Sequence, residues 1–403
     1  LDPSLRHAVE IVSLVLPFRS NRYVMDQLID WDRVPDDPMF QLTFPHRDML
    51  YEGEFTELER LLERDAEPPR IADTAGRIRA RMNPQPGGQK THNVPTLDGR
   101  RVHGVQHKYR ETVLLFPKRG QTCHAYCTYC FRWAQFIGEK DLRFAAIGTD
   151  ELVAYLRRHP DVTDVLITGG DPMTMKTNVL AQYIEPLLRL GQLSSIRIGT
   201  KAPATWPHRF TTGPDADDVL RLFDRVVRSG KHLALMVHYS HPVELSTELA
   251  EHAVRRIRST GAVIRMQNPI ARRINDDPDV WTDLWRTGIR LGCVPYYMFV
   301  ARDTGPRNYF EVPLARCWEI YQGAYRRLSG LARTVRGPSM SAFPGKVHVL
   351  GTTYIDGMKV FVLEYLQARN AALVRRPFFA RFDPDATWFD QLEPATERDT
   401  AFF

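Results

Sequence analysis

From Thr112 onward, short apolar runs alternate with helical ones six times, and this alternation limits the architectures open to the chain more than any other feature. The strands read as Thr112 to Phe116, Val162 to Thr168, Ser195 to Gly199, His232 to Tyr239, Ala262 to Gln267 and Val294 to Val300. Helical period fills the gaps. Val219, Leu222, Phe223 and Val226 fall at i, i+3, i+4 and i+7 of one run. A second run spans Ser246 to Ser259, and a third starts at Asp277-Pro278, an N-cap followed by proline at the first helical position. Successive βα units mean a parallel sheet joined by right-handed crossovers. Six are too few for a closed eight-stranded barrel, which leaves an open partial barrel or a doubly wound sheet. Polar residues follow nearly every strand (Gly169-Gly170-Asp171, Lys201, Ser240-His241, Gln267-Asn268, Arg302-Asp303) and so describe a barrel mouth. A doubly wound sheet would gather them at one switch point. The expected fold is α/β, a partial (β/α)6 barrel of the TIM type.

The loop leaving the first strand carries Cys123-His-Ala-Tyr-Cys127-Thr-Tyr-Cys130. Three thiols at this spacing can converge on one soft metal centre but cannot close it, since a structural zinc site or an ordinary cubane wants four protein ligands. Cys293 and Cys317 lie far off in other contexts. A three-thiolate site therefore suggests a [4Fe-4S] cluster with one iron open to a small molecule. Two blander readings are reduced core cysteines and a zinc-stabilised binding protein without catalysis. Three of five cysteines within eight polar, loop-like residues is not core patterning.

The remaining chain frames this unit. At 403 residues, 43% of them hydrophobic, it can form one large domain with appendages or two smaller ones. The apolar run Val9 to Phe18 carries Glu10 and has no basic leader or small-residue cleavage site, so it reads as a helix, not an address label. No run reaches membrane-spanning length, and an odd cysteine count with three clustered points to a reducing cytosol. The net charge of +6 is spread along the chain, and the pairs Arg157-Arg158, Arg255-Arg256 and Arg326-Arg327 suit helix C-termini. Neither a nucleic acid nor a membrane is an expected partner. Residues to about 95 read as helical and irregular, with an amphipathic stretch at Phe55 to Leu62 and an extended segment at Asp37 to Pro45. The cluster Asn83 to Gly88 cannot continue a helix and marks a boundary. The division expected is a helical extension over 1–100, the barrel over 101–330 and a C-terminal segment over 331–403. In that segment Gly337 to Lys346 reads as a loop, and Val347 to Leu363 as a hairpin turning at Asp356-Gly357. Its aromatic tail (Phe378-Phe379, Trp388-Phe389, Phe402-Phe403) is expected to pack on the barrel or on a second copy, as in a homo-oligomer.

Cys-x3-Cys-x2-Cys resembles the cluster motif of radical S-adenosylmethionine (SAM) enzymes, in which the open iron is chelated by the amino and carboxylate groups of SAM. Thr168-Gly169-Gly170-Asp171-Pro172, one βα unit later, is similar to the segment that receives the methionine amino group. Paired glycines admit close backbone approach, and an aspartate accepts from ammonium. The ordered set Lys108-Tyr109, the cysteine loop, Thr168 to Asp171, Ile196-Arg-Ile-Gly199, His238-Tyr-Ser-His-Pro242, Met266-Gln267-Asn268, Asn275-Asp276 and Pro295-Tyr-Tyr297 resembles the lysine 2,3-aminomutase family across residues 20 to 350. Members use SAM, a [4Fe-4S] cluster and usually pyridoxal phosphate (PLP) to move an amino group from the α to the β carbon. The resemblance implies that Cys123, Cys127 and Cys130 hold the cluster. It implies that Gly169, Gly170, Asp171, His241 and Gln267 line the SAM site, and that Arg132 pairs with a substrate carboxylate, which its planar fork suits. It also implies a cytoplasmic enzyme with a small amino-acid-like substrate and an electron donor such as flavodoxin or ferredoxin.

Some positions depart from the family. The PLP lysine falls at Lys346, in Ala342-Phe343-Pro344-Gly345-Lys346, with fewer glycines and no preceding aspartate. Thr112 stands where the family has a phosphate-contacting arginine, with Arg110 two residues earlier. Where two carboxylates fix the lysine ε-ammonium, this chain has Arg302 with Asp303 beside it, and only Ser339 to Phe343. The reading is a PLP-dependent 2,3-aminomutase on an amino acid other than lysine, with Arg302 and Asp303 at the substrate and an acidic or polar side chain expected. The alternative is a PLP-independent radical SAM enzyme carrying out epimerisation, dehydrogenation or fragmentation.

Overall fold

A computed structural model of the chain, described over residues 1–83, 93–137 and 144–403, contains an eleven-stranded sheet and a two-stranded ribbon. The ribbon is β1 (Thr96–Leu97) and β2 (Arg100–Arg101). The sheet comprises β3 (Val105–Tyr109), β4 (Thr112–Leu115), β5 (Asp164–Ile167), β6 (Ser195–Thr200), β7 (His232–His238), β8 (Val263–Ile270), β9 (Val294–Val300), β10 (Arg336–Ser341), β11 (Gly345–Ile355), β12 (Met358–Ala368) and β13 (Pro377–Arg381). Their order across the sheet is their order in the sequence. β4 to β10 run parallel, while β3 and β11 to β13 add antiparallel edges. The crossovers are the helices Asp150–Arg158, Thr177–Leu188, Ala216–Arg228, Glu248–Arg258, Pro278–Arg290 and Leu314–Tyr325. A sheet that grows in one direction through right-handed crossovers keeps its helices on one face.

Burial follows from that rule. Ile196 and Ile198 of β6 and Ile264, Met266 and Ile270 of β8 are buried in the core shared with the helices. Their neighbours Arg197, Gly199, Arg265 and Gln267, on the opposite face, are only half-buried. That inner face is closed across its two margins. Lys108 of β3 donates its Nζ to the Ala342 carbonyl between β10 and β11, and Arg369, just after β12, reaches the Asn93 side chain. Asn93 in turn accepts from the His107 amide at 2.7 Å.

Two local expectations are corrected. Asp37 to Pro45 is not extended: Pro38–Thr43 is helical, with Asp37 accepting from the amides of Met39 (2.9 Å) and Phe40 (2.7 Å). This is the same Asp-Pro start that marks Pro278–Arg290, but here every helical residue is buried, so no amphipathic period advertises it. Gly337 to Ser341 is not loop but part of β10, a seventh parallel strand. Its Gly, Pro and Ser residues are poor strand formers, and it is recruited by the open edge of β9, pairing Arg336 with Tyr297 and Ser339 with Phe299. The hairpin stands, lengthened at both ends. Asp356 (φ 49°) and Gly357 (φ 82°) are both left-handed, as a two-residue turn between twisted strands requires.

A second core joins the N-terminal helices to the cysteine loop, with Phe40, Leu42 and Phe55 packed among Ala125, Trp133 and Ala134. Pro84 to Gly88, the expected boundary, lies outside the described residues. Among the described residues no helix is long and apolar enough to cross a membrane. The aromatic tail packs on the sheet: Phe378 of β13 stacks on Phe402 (4.7 Å between ring centroids) and on Tyr365 of β12 (5.2 Å), and all three are buried. Phe378→Ala should therefore cost about 3–5 kcal/mol. The expected result is a lowered denaturation midpoint and early proteolysis after β12. An unchanged midpoint would mean that the tail does not dock on its own sheet.

Candidate active site

The cysteine loop is gripped from two sides. Its backbone pairs with the N-terminal segment: the Tyr126 amide donates to the Arg19 carbonyl and the Thr128 amide to the Leu42 carbonyl, each at 2.9 Å. The Thr128 hydroxyl donates to the Gln41 carbonyl at 2.7 Å. The Arg19 guanidinium reaches the Thr122 hydroxyl (2.9 Å) and the Cys123 carbonyl (3.1 Å). On the other side His124 stacks on Trp206, 3.3 Å between centroids. Burial holds His124 neutral, its titration lowered to about 4 with help from Arg19 and Arg209.

Cys123, Cys127 and Cys130 are half-buried and reduced. Burial pushes all three thiols up, Cys127 to about 12. At Cys123 the carboxylate of Asp171 and the two other thiols push in the same direction, while Arg132 opposes them. At Cys127 Lys201 is the opposing cation. Among the described residues no three His, Cys, Asp or Glu side chains are gathered for a single metal ion. A cubane makes a different demand, because each thiolate ligates its own iron. Three thiols within electrostatic reach of one another, on a loop fixed at both flanks, fit such a group.

The glycines after β5 abut this loop. A Cβ on Gly170 would lie 2.4 Å from the Thr122 carbonyl oxygen, and the Asp171 amide donates to that same oxygen at 2.7 Å. The close approach is thus to the residue before Cys123. The Asp171 carboxylate is buried, accepting from the Thr200 hydroxyl (2.7 Å), the Lys201 amide (2.8 Å) and the Met173 amide (2.9 Å). Gly169 precedes it, packed against Gln121. His241 begins a short helix, its Nδ1 accepting weakly from the Val243 amide (3.4 Å), and burial lowers it to about 4. Gln267 hydrogen-bonds His238 across the β7 and β8 pair (3.0 Å), and burial, assisted by Lys201, lowers His238 to about 3. A neutral His238 accepts from the Gln267 amide. Sequence reading passed over Lys201 as one more polar strand end. Its Nζ donates to the His238 carbonyl and the Ser240 hydroxyl, each at 3.0 Å, and pairs with the buried Glu244. Tyr129, inside the cysteine motif, joins the same network through Ser240 (2.8 Å) and Asn268 (2.9 Å).

Lys346 faces the same inner side. It pairs with Ser341 in the register of β10 and β11, and its Nζ stands 4.1 Å from the centroid of Tyr297. Burial, with the charges of Arg197, Arg336 and Lys108 beside it, lowers this amine to about 7. Lys108 is likewise lowered to about 7 by burial, then Arg369 and Arg302. Arg197 is answered by Asp164 (Nε to Oδ1, 2.9 Å), which also accepts from Thr112 (3.0 Å). Among the described residues no carboxylate pairs with Lys346, Lys108 or Arg336. An amine that loses its proton near pH 7, with two of its three neighbouring cations left without an acid, fits an aldehyde cofactor that carries a phosphate. Arg110 takes no part, since it is exposed and paired with Asp161 (3.0 Å).

Arg132 is buried over Phe116 (4.3 Å), with Nη2 donating to Gln121 (3.2 Å) and to Gln135, and its Nε lacks a partner. Burial lowers it to about 10. Arg302 sits between Phe131 and Trp388, 5.6 Å from each ring, close to the Tyr109 hydroxyl, which also lacks a partner. Trp388 comes from the aromatic tail, a contribution no local sequence signal could announce. Phe131, Arg302, Lys108 and Lys346 link the cysteine loop to β11 in one run of neighbours. Asp303 leaves that run. It lines a separate cavity of about 400 Å³ with Arg81, Arg272, Arg307 and Tyr309.

No family model matches the chain. It is 30% identical over 385 residues to a protein of Aquifex aeolicus that carries the lysine 2,3-aminomutase name, covering 96% of this chain and 90% of that one. It is 28% identical to the L-lysine 2,3-aminomutase of Clostridium subterminale, over 57% of this chain and 52% of that enzyme. It is 26% identical to the glutamate 2,3-aminomutase of Clostridioides difficile, over 52% and 47%. The matches thus span about half of the two clostridial enzymes and nearly all of the Aquifex protein. The last of these measures, with the thiol loop and the poised lysine, makes the chain a member of the lysine 2,3-aminomutase family of radical SAM isomerases, which work with a [4Fe-4S] cluster, SAM and PLP.

Proposed function

We propose that the chain is a 2,3-aminomutase acting on an amino acid other than lysine, on the inner face of a partial (β/α)6 barrel. The observation that carries this reading is the run of neighbours joining the three-thiol loop to an amine that loses its proton near pH 7. In this reading residues 1–100 seat the cluster loop, 101–330 form the barrel and 331–403 supply Lys346. Cys123, Cys127 and Cys130 hold the cluster, and Gly169, Gly170, Asp171, His241 and Gln267 frame SAM. Bound there, the cluster and SAM supply a 5′-deoxyadenosyl radical, fed by a donor of the flavodoxin or ferredoxin kind, and PLP supplies a covalent hold on the amino group.

The chain's own residues do the rest. Lys346 is a nucleophile without needing a base, because burial first and its neighbouring cations second disfavour its proton. The free Nε edge of Arg132 suits an α-carboxylate. Phe131 and Trp388 shield the guanidinium of Arg302 on two sides, and Asp303 eases its charge. An incoming lysine would set its ammonium against Arg302 and Lys108. Two such charges about 5 Å apart at an effective dielectric of ~20 repel by about 3 kcal/mol, over a hundredfold in affinity. A substrate with an acidic or polar side chain meets no such penalty, and a glutamate-specific relative is consistent with that choice.

Anaerobic reconstitution with SAM, dithionite, PLP and a panel of amino acids should give 5′-deoxyadenosine and a β-amino isomer from a non-lysine substrate. Product formation that does not need PLP, or lysine turnover equal to the best alternative, would sink the reading. The Lys346 amine provides a second check. Its native proton affinity lies below its unfolded value, so the reactive form grows as pH rises and protonation quenches it on the acid side. The rate at which PLP develops a borohydride-sensitive absorbance band should climb through a midpoint of about 7 and level off above it. Lys346→Ala should abolish the band.

A further inference from the structure

Three cations surround the Lys346 amine, each from a different strand: Arg197 of β6, Arg336 of β10 and Lys108 of β3. Arg197 is neutralised by Asp164. Arg336 is not. Its guanidinium lies 4.5 Å from the Tyr296 centroid and 4.7 Å from that of Tyr297, and no carboxylate among the described residues meets it. Arg265, from β8, stands 5.7 Å from Tyr296 and is equally without an acid. Tyr297 carries Lys346 at 4.1 Å as well, so Arg336 and Lys346 share one ring and lie within about 9 Å of each other. A pyridoxal ring with its phosphate arm fits within that bound. A guanidinium placed over aromatic rings has five donors and no acceptor to offer an anion.

The side where phosphate recognition would be looked for from sequence is already committed. Thr112 gives its hydroxyl to Asp164, and Arg110 points to Asp161 at the surface. The β-sheet instead holds Arg336 in place through its pairing with Tyr297, against the repulsion of neighbouring cations. Packing like charges together without an acid is unfavourable unless a ligand brings the anion.

We propose that Arg336 binds the phosphate of PLP whose aldehyde condenses, with loss of water, on the Lys346 amine, and that Lys108, the other cation beside that amine without an acid, adds its charge. The inference rests on the reading of Lys346 as the PLP lysine. Arg336 lies outside every motif that pointed to a cofactor in the sequence.

The test is an absorbance titration of the full chain with PLP and with pyridoxal, which lacks the phosphate, following the borohydride-sensitive band. The wild type should bind PLP about 100-fold more tightly than pyridoxal, and Arg336→Gln should remove about 30-fold of that preference, read as the ratio of the two affinities at a pH where the Lys346 amine is unprotonated in both proteins. Arg336→Lys should restore part of it, and inorganic phosphate should compete with PLP in the wild type but weakly in Arg336→Gln. If Arg336→Gln does not fold, Lys108→Gln carries the same expectation. PLP affinity unchanged in a folded Arg336→Gln overturns the inference alone. If that variant instead loses affinity for a dicarboxylic amino acid, the anion at Arg336 belongs to the substrate and the inference falls. A wild type that forms no band with either aldehyde overturns the reading of Lys346 and the inference with it.

Discussion

The thiols of Cys123, Cys127 and Cys130 act together only because the backbone between them is fixed. That fixing comes from outside the strand array. Residues 19 and 42 receive the Tyr126 and Thr128 amides, residue 41 receives the Thr128 hydroxyl, and Gly170 closes against Thr122 so tightly that a methyl group would collide with backbone. A side chain could yield to such a contact, but backbone cannot without moving β5. The N-terminal helices are therefore part of the site's construction, with the arm at Arg19 as the hinge between their core and the cysteine loop.

What was legible in the sequence was what depends on local period. Six strands fell where alternation and flanking polar residues put them, because each carries its own pattern of buried and half-buried positions. β10 did not, because its strand character comes from the edge of β9 and not from Gly337 to Ser341 themselves. Asp277-Pro278 announced a helix and Asp37-Pro38 did not, although both cap in the same way, because only the first is followed by an amphipathic face. At the candidate site the clustering of the three cysteines was readable by spacing, and Lys346 was named by the family resemblance. Arg336 and Trp388 were not, since both arrive through strand pairing and tail docking over long sequence distances. Asp303 has two faces: it eases the charge of the adjacent Arg302 and also lines a separate cavity, which adjacency in the sequence could not show.

Asp171 separates two meanings of a conserved-looking acid. The sequence suggested an acceptor for ammonium. The folded carboxylate already collects two backbone amides and a hydroxyl, tying the loops after β5 and β6 together at the level of the thiols. Its negative charge still reaches Cys123, where it resists thiolate formation. An acid in that place favours an occupant that brings positive charge, as the sulfonium and ammonium groups of SAM do.

The inner face as a whole is set against itself. Lys346, Lys108 and Arg336 stand half-buried and Arg132 buried without a paired carboxylate among the described residues, and exposed Arg302 has Asp303 to ease its charge, while Arg197 and Lys201 pair with Asp164 and Glu244. Each such cation subtracts from the stability of the empty chain, since desolvation is not repaid by an ion pair. A fold keeps such groups where ligands supply the missing anions, and a ligand bound only by the native state returns stability in proportion to RT ln(1 + [L]/Kd). At a hundredfold excess over Kd that is about 2.7 kcal/mol per ligand, comparable to the cost of one strained cation. The positive surplus is thus a measure of how much negative charge the working complex must carry. In the proposed reading a phosphate at Arg336 and Lys108, a covalent bond at Lys346 and a carboxylate at Arg132 would answer four of these five cations, and Arg302, beside the Tyr109 hydroxyl, would be left for an anionic or polar group of the substrate.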